Sequence, residues 1–135
     1  MKKKLLTIGL FFFLAGSLFA QQTQSTPKTQ GDKAIFTLEK QSLNFEEIKM
    51  GSTKTLELSF TNTGKKTLVL TDVYTNCGCT TVDWPKDPFS PGKSGKLKIT
   101  YNPTETGPFN KTVYVYTNAQ NSSETIQIEG IIIEK

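Results

Sequence analysis

The sequence predicts an all-β protein, an antiparallel β-sandwich of about seven strands. From Lys33 onward, apolar and polar residues alternate in short runs, which is the pattern of strands with one buried face. Turn-forming residues separate these runs at intervals of about 8 to 12 residues. No segment beyond the N-terminal region has helical spacing, and parallel strands usually need a helical crossover. We therefore expect no parallel sheet.

Residues 1–20 are predicted to be a cleaved secretory signal peptide. Three lysines follow the first methionine, an apolar stretch comes next, and Ala20 stands at the expected cleavage point. The alternative is a membrane anchor, but the apolar stretch falls short of the roughly 20 residues that a spanning helix needs. We expect an exported protein, periplasmic or extracellular, with no membrane span after the signal is removed.

The charge of the chain depends strongly on this signal. Of the 16 basic residues three lie in the signal, which leaves 13 against 12 acidic residues, a net charge of +1. Every basic residue is lysine, whereas specific recognition of phosphates and bases relies on the forked arginine side chain. We expect no nucleic-acid partner.

Two segments follow the signal. Residues 21–32 contain no apolar side chain that could be buried, so they are predicted to be a disordered polar linker. Residues 33–135 have the length of one domain with a modest core, and they carry all the alternating runs. The expected core contains the residues that share parity along these runs: Leu56, Leu58, Phe60, Leu97, Ile99, Tyr101, Val113 and Val115.

The last predicted strand breaks the alternation, because Ile131, Ile132 and Ile133 are consecutive. Either this strand is central and buried, or it is an exposed edge that pairs with a partner chain.

Two turns are predicted from the sequence. Residues 62–65 form one predicted turn, and Pro91-Gly92 favours a type II turn with positive φ at the glycine.

The two cysteines of the chain are Cys77 and Cys79, separated by Gly78. On an extended strand their Cα atoms would lie about 6.6 Å apart, at the upper limit for a disulfide. A bend at Gly78 would shorten this distance, and export favours oxidation. We expect the two cysteines to be bonded to each other. Loss of so small a ring should cost about 1 kcal/mol or less.

Other states of the thiol pair stay open: a redox-active pair, a site for copper(I) or zinc, or an intermolecular disulfide. A redox-active thiol usually has a cationic neighbour or a helix N-terminus beside it. The nearest charges in sequence are Asp72 and Asp83, both acidic. Two thiolates without histidine make an incomplete zinc shell.

Nothing in the sequence predicts an enzyme. The chain has no histidine, so no serine or cysteine has that base beside it. The adjacent Glu46 and Glu47 would point to opposite faces of a strand and are expected to be solvated. Trp84-Pro85 could form an aromatic platform for a ligand, although packing is the more common role of such a pair. We expect no catalytic residue, no cofactor and no resident metal.

Several motifs resemble the bacterial domain-of-unknown-function family 1573, over roughly residues 36–133. They are Phe45, Ile48 and Gly51, residues 60–64 with Leu68, residues 77–80, Pro91-Gly92, residues 107–111 and Asn118. The resemblance implies an immunoglobulin-like sandwich, similar to the domains of major sperm protein and Hydin-type proteins. It also implies export by bacteria, with no assigned activity. Glu46 departs from the family pattern, which usually has glycine after the phenylalanine.

We therefore interpret the chain as an exported, non-catalytic binding or scaffolding module of the bacterial envelope. Its partner is expected to be a protein or another envelope component. The alternative is a thiol-based redox protein or a soft-metal protein that uses Cys77 and Cys79.

Overall fold

The computed structural model describes residues 31–135, and this part of the chain folds into two four-stranded sheets. The described strands are β1 (Phe36–Leu38), β2 (Ser42–Lys49), β3 (Lys54–Asn62), β4 (Leu70–Thr75), β5 (Thr80–Asp83), β6 (Ser94–Tyr101), β7 (Gly107–Thr117) and β8 (Ser123–Ile133). The predicted signal peptide and residues 21–30 of the predicted linker lie outside the described residues. Among residues 31–135, no helix is long and apolar enough to cross a membrane.

The first sheet has the strand order β1-β3-β6-β5, and the second has the order β2-β8-β7-β4. The prediction of an immunoglobulin-like β-sandwich is confirmed. Neither sheet is a parallel sheet, as expected, but the antiparallel arrangement has one exception, because β2 and β8 are parallel neighbours. These two strands lie at opposite ends of the domain sequence, and the strands between them carry the chain around, so no crossover helix is needed.

The core lies between the sheets and follows the predicted parity. Of the eight residues expected inside, seven are buried and Leu56 is partly buried against the same cluster. Alternation along a strand places every second side chain on the inner face. The largest fully buried side chains include Phe45, Phe60, Leu58, Leu68, Leu97, Ile99, Ile126 and Ile128.

The run of three isoleucines lies on a central strand. β8 has β2 on one side and β7 on the other, so the alternative of a free edge is wrong. Ile132 is buried in the core, whereas Ile131 is 43% exposed on the outer face. The run therefore extends a central strand without being covered on both faces.

The predicted turn after β3 is organised by one buried side chain, Asn62. Its Oδ1 accepts hydrogen bonds from the N–H groups of Ile35 (3.3 Å) and Gly64 (3.0 Å). Its Nδ2 donates to the carbonyls of Lys66 (2.7 Å) and Phe89 (2.9 Å). Every donor and acceptor position of the amide is used on the backbone, and Asn62 therefore ties three loop segments together at the end of the sandwich.

Gly64 lies against the chain that leads into β1. A Cβ at this position would overlap the backbone of Lys33, Ala34 and Ile35. The Asn-Thr-Gly motif therefore has two distinct physical roles: the asparagine satisfies backbone groups, and the glycine permits close approach of two segments.

The second predicted turn is also confirmed. Gly92 has a φ of 80°, and the Lys93 N–H donates to the Ser90 carbonyl at 3.0 Å. This is the hydrogen bond and the positive φ that a Pro-Gly type II turn requires.

The backbone at Glu46, the residue that departs from the family pattern, has an unusual conformation. It lies in a bulge of β2 between Asn44 and Glu47, and its φ is 55°. The Asn44 Oδ1 accepts the Glu46 N–H at 2.7 Å and holds this conformation. Left-handed backbone favours glycine, so the geometry of this position suits the glycine that the resemblance implied.

Candidate functional site

The cysteine pair lies where the chain passes from one sheet to the other. β4 is an edge strand of the second sheet and β5 is an edge strand of the first. Residues 76–79 connect them, and we call this segment the crossover turn. The Cα atoms of Cys77 and Cys79 are 5.2 Å apart, and their sulfurs lie within bonding distance. The sequence thus placed the two sulfurs together correctly, and their redox state in the native protein stays a prediction.

Gly78 does not create the bend in the way the sequence suggested. Its φ is outside the left-handed region, and a Cβ there would meet no atom within 4 Å. The bend comes from a turn in which the Thr80 N–H donates to the Cys77 carbonyl at 3.3 Å. Neither conformational freedom nor space therefore requires glycine at position 78.

Further hydrogen bonds hold the crossover turn without involving the sulfurs. The Thr75 hydroxyl lies 2.9 Å from the Cys77 carbonyl and 3.2 Å from the Thr80 carbonyl. The Asn102 N–H donates to the Cys79 carbonyl at 2.7 Å. These contacts join the end of β4, the turn and the start of β5, so backbone geometry defines the turn independently of a disulfide.

The two sulfurs have unequal surroundings. Cys77 is half-buried, whereas Cys79 is only 6% exposed and belongs to the core cluster. The Cys79 Sγ lies 3.7 Å from the hydroxyl oxygen of the buried Thr80. The Cys79 N–H points at the Cys77 Sγ, 3.2 Å away. An incoming molecule would therefore reach Cys77 more easily than Cys79.

A cleft of about 370 Å³ opens beside the cysteine pair at this end of the sandwich. It is lined by Cys77, Cys79, Tyr101 and residues 104–111. Tyr101 stacks on Phe109, with ring centres 3.8 Å apart. Burial raises the pKa of Tyr101, and the Glu105 carboxylate adds to the shift. The phenol is therefore neutral at physiological pH, and it gives the cleft an uncharged aromatic wall.

The sequence did not indicate that two charged residues lie in this cleft. The sequence showed only acidic neighbours of the cysteines, but the fold brings Lys111 and Glu105 to the same cleft. Lys111 shares its parity on β7 with the buried Val113 and Val115. The available signal was a lysine with the inward parity of its strand, since this pattern indicates a charge beside the core.

The outer face of the second sheet carries a row of stacked tyrosines. Tyr74 on β4 lies directly opposite Tyr114 on β7, with ring centres 5.1 Å apart, and Tyr116 lies 5.9 Å from Tyr74. Tyr74 is 44% exposed and Tyr116 is 37% exposed, while Tyr114 is half-buried. We call these three residues the tyrosine ladder. Tyr114 and Tyr116 have the opposite parity to Val113 and Val115 in the sequence, which places them on the outer face without marking them as a candidate site.

Trp84 and Pro85, the pair considered as a ligand platform, line a small open pocket of about 210 Å³. The Lys86 ammonium lies 2.8 Å from the centre of the Trp84 ring, and Trp84 also packs against the core. Glu46 and Glu47 are exposed on the surface. Within residues 31–135, no three His, Cys, Asp or Glu side chains come together in a way that could hold a metal ion.

Comparison with known proteins identifies a family and a fold. A family model described as a protein of unknown function, DUF1573, matches residues 36–132. Comparison with curated proteins finds no significant match.

Among solved structures, the PapD-like domain 7 of human CEP192 has a TM-score of 0.62 and 16% identity, covering 81% of this chain and 92% of that domain. A protein of unknown function from Porphyromonas gingivalis W83 has a TM-score of 0.68 and 18% identity; the match covers 79% of this chain but only 51% of that one. SSP-19, an MSP-domain-like protein of Caenorhabditis elegans, has a TM-score of 0.55 and 12% identity, covering 70% and 98%. At these identities the likeness shows the fold alone.

Proposed function

Because the chain belongs to the DUF1573 family of proteins of unknown function, as its motifs indicated, we propose a role from the site itself: an exported, non-catalytic binding module of the bacterial envelope. The observation that carries the proposal is the exposed tyrosine ladder at the β4 edge. The partner is a protein that contacts this face. Export follows from the predicted signal peptide.

The chemistry of the ladder suits a binding surface. Tyrosine is enriched in protein interfaces because it combines a large apolar ring with a polar hydroxyl. Stacking already restricts the Tyr74, Tyr114 and Tyr116 rings against one another. Ordered side chains lose little further entropy on binding.

The strand beneath the ladder offers a second means of contact. β1 has three residues and β5 has four, while β2 is interrupted by its bulge. β4 has six residues, and after a register shift between Leu70 and Asp72 it runs regularly to Thr75, paired with β7 on one side only. Unpaired backbone groups along such an edge can hydrogen-bond to an extended segment of another chain. We propose that the partner lays an extended segment along β4 and apolar side chains on the ladder.

The absence of histidine from the whole sequence supports a non-catalytic role, because no serine or cysteine can have a histidine base. The acidic residues Glu46, Glu47 and Glu129 line a broad, open depression around Ile131.

The test compares matched surface variants in a pulldown from a bacterial envelope extract. A Tyr74→Ser, Tyr116→Ser double variant removes the exposed rings, and Lys98→Ser changes an exposed residue of the first sheet. We expect partner capture to fall at least tenfold for the ladder variant and to stay unchanged for Lys98→Ser. A ladder variant that is folded by circular dichroism and captures as much partner as the wild type would refute this assignment.

A further inference from the structure

The cysteine pair and its cleft have features that a purely structural disulfide does not need. The sulfur bond closes a ring across a single intervening residue, and such a ring restrains the unfolded chain only weakly. The turn is already held by hydrogen bonds from Thr75, Thr80 and Asn102. Both cysteines line the cleft, but Cys77 is half-buried whereas Cys79 is only 6% exposed.

We propose that Cys77 and Cys79 form a thiol–disulfide exchange site for small amino-acid thiols, which enter through the adjacent cleft. The inference is independent of the binding role of the tyrosine ladder. A cleft of about 370 Å³ is in the size range of small-molecule sites. Lys111 and Glu105 supply opposite charges on its wall, which match the carboxylate and ammonium groups of an amino-acid or peptide thiol such as glutathione.

The exchange begins at the more accessible sulfur. The thiolate of the incoming molecule attacks the Cys77 Sγ and forms a mixed disulfide with it. The bond between the two protein sulfurs breaks, and Cys79 leaves with the electron pair as a thiolate. The Thr80 hydroxyl, 3.7 Å from the Cys79 Sγ, is placed to donate a weak hydrogen bond to this leaving group, which then takes a proton from water.

A second small thiolate completes the reaction. It attacks the small-molecule sulfur of the mixed disulfide, and Cys77 leaves as a thiolate. The Cys79 N–H, 3.2 Å from the Cys77 Sγ, stabilises that anion. Two small thiols are thereby oxidised to one disulfide while the protein disulfide is reduced to two thiols, and the reverse sequence oxidises the protein. The reactants supply both electrons of the exchange.

The structure also predicts that the reduced protein stays folded. Val73 on β4 pairs with Val115 on β7, and Val82 on β5 pairs with Ile99 on β6. None of these pairings depends on the sulfur bond. Reduction is therefore a local change at the crossover turn, and the site can pass between oxidised and reduced forms without unfolding.

The first test measures which cysteine reacts. Cys79→Ser leaves Cys77 as the single thiol, and Cys77→Ser leaves Cys79. Each purified variant is mixed with oxidised glutathione, and mixed-disulfide formation is followed by intact mass. Because Cys77 is half-buried and Cys79 is enclosed, we expect Cys79→Ser to react at least ten times faster. Equal rates would overturn the proposal.

The second test asks whether the cleft recognises the thiol. In Lys111→Gln the exchange of the wild-type cysteine pair with reduced glutathione should slow about threefold to fivefold, the size expected for one partly exposed charge pair. Exchange with uncharged 2-mercaptoethanol should keep its rate. An equal slowing with both thiols, or no slowing with either, would refute recognition by the cleft.

A measurement on the wild type separates exchange from a structural role. The native protein should be reduced by glutathione while its circular dichroism spectrum keeps its β-sheet form. If reduction occurs only in denaturant, or if the spectrum is lost on reduction, the pair is a structural link and the proposal fails.

Discussion

Replacing Asn62 with alanine should be the most destabilising change of a polar residue at the end of the sandwich. The side chain is fully buried, and it hydrogen-bonds to four backbone groups. The Phe89 carbonyl also accepts the Leu68 N–H at 2.8 Å, so it keeps one partner in the variant. The Ile35 N–H, the Gly64 N–H and the Lys66 carbonyl lose the partner that Asn62 provides.

The expected loss in the free energy of unfolding follows from these three backbone groups. A buried polar group left without a partner costs about 1–3 kcal/mol, and a typical lost hydrogen bond about 1 kcal/mol. Three losses, together with the small cavity left by the amide, should lower the free energy of unfolding by about 3–5 kcal/mol. Domains of this size have only about 5–15 kcal/mol of stability, so the variant should be close to unfolding.

Asn118 provides a matched control. It also bridges two backbone groups, accepting the Val69 N–H at 2.8 Å and donating to the Thr67 carbonyl at 3.0 Å. Asn118 is exposed, so water can replace its contacts, and Asn118→Ala should cost about 1 kcal/mol or less. Urea unfolding followed by the fluorescence of Trp84, the single tryptophan, measures both variants. A loss at Asn62 no larger than the loss at Asn118 would show that burial of the amide is not what stabilises this end of the fold.

Three other predictions concern the bulge, a surface ion pair and the N-terminus. Glu46→Gly should raise the free energy of unfolding by about 1 kcal/mol, because it relieves a left-handed φ of 55°; Glu47→Gly, the control, should lower it, and a loss in both variants would contradict the reasoning. The hydrogen bond from Lys96, 2.8 Å long, lowers the pKa of Glu57 below its usual 4.5. The stability from this pair should be present above pH 4.5 and should disappear as the pH falls through the lowered pKa, which a titration of the Glu57 carboxylate by NMR would show; a pKa at or above 4.5 would rule it out. Mass spectrometry of the native protein should find Gln21 as the first residue, whereas an intact first methionine in the membrane fraction would indicate an anchor.

The sequence predicted the core well because strand parity is a local property. Alternation alone placed Leu58, Phe60 and Val113 inside, and it needed no knowledge of which strands are neighbours. Pairing is different, because it depends on which sheet edges are free once the chain has folded. The parallel pair of β2 and β8 therefore left no signal in either strand.

The candidate sites show the same difference between features that are local in the sequence and features that depend on strand pairing. The cysteines were evident because they are close in sequence, but Lys111 comes to the same cleft only through the folding of β7. Two members of the tyrosine ladder had outward parity in the sequence. The third, Tyr74, becomes their neighbour only through the register between β4 and β7, which the sequence does not encode locally.

Both candidate sites involve β4, because the tyrosine ladder includes a residue of this strand and the crossover turn follows its last residue. The contacts at the end of the strand nevertheless hold the two sites apart. Tyr74 lies on the outer face of β4, and the crossover turn begins after Thr75. The Thr75 hydroxyl is hydrogen-bonded to the Cys77 carbonyl within the turn and to the Thr80 carbonyl beyond it, and Thr75 pairs with Val113 in the sheet. A change in the bonding of the sulfurs is therefore contained between Thr75 and β5, because the strand end is fixed by contacts that do not involve sulfur. The proposed binding face on β4 and the proposed exchange site beyond its end are therefore expected to act independently of each other.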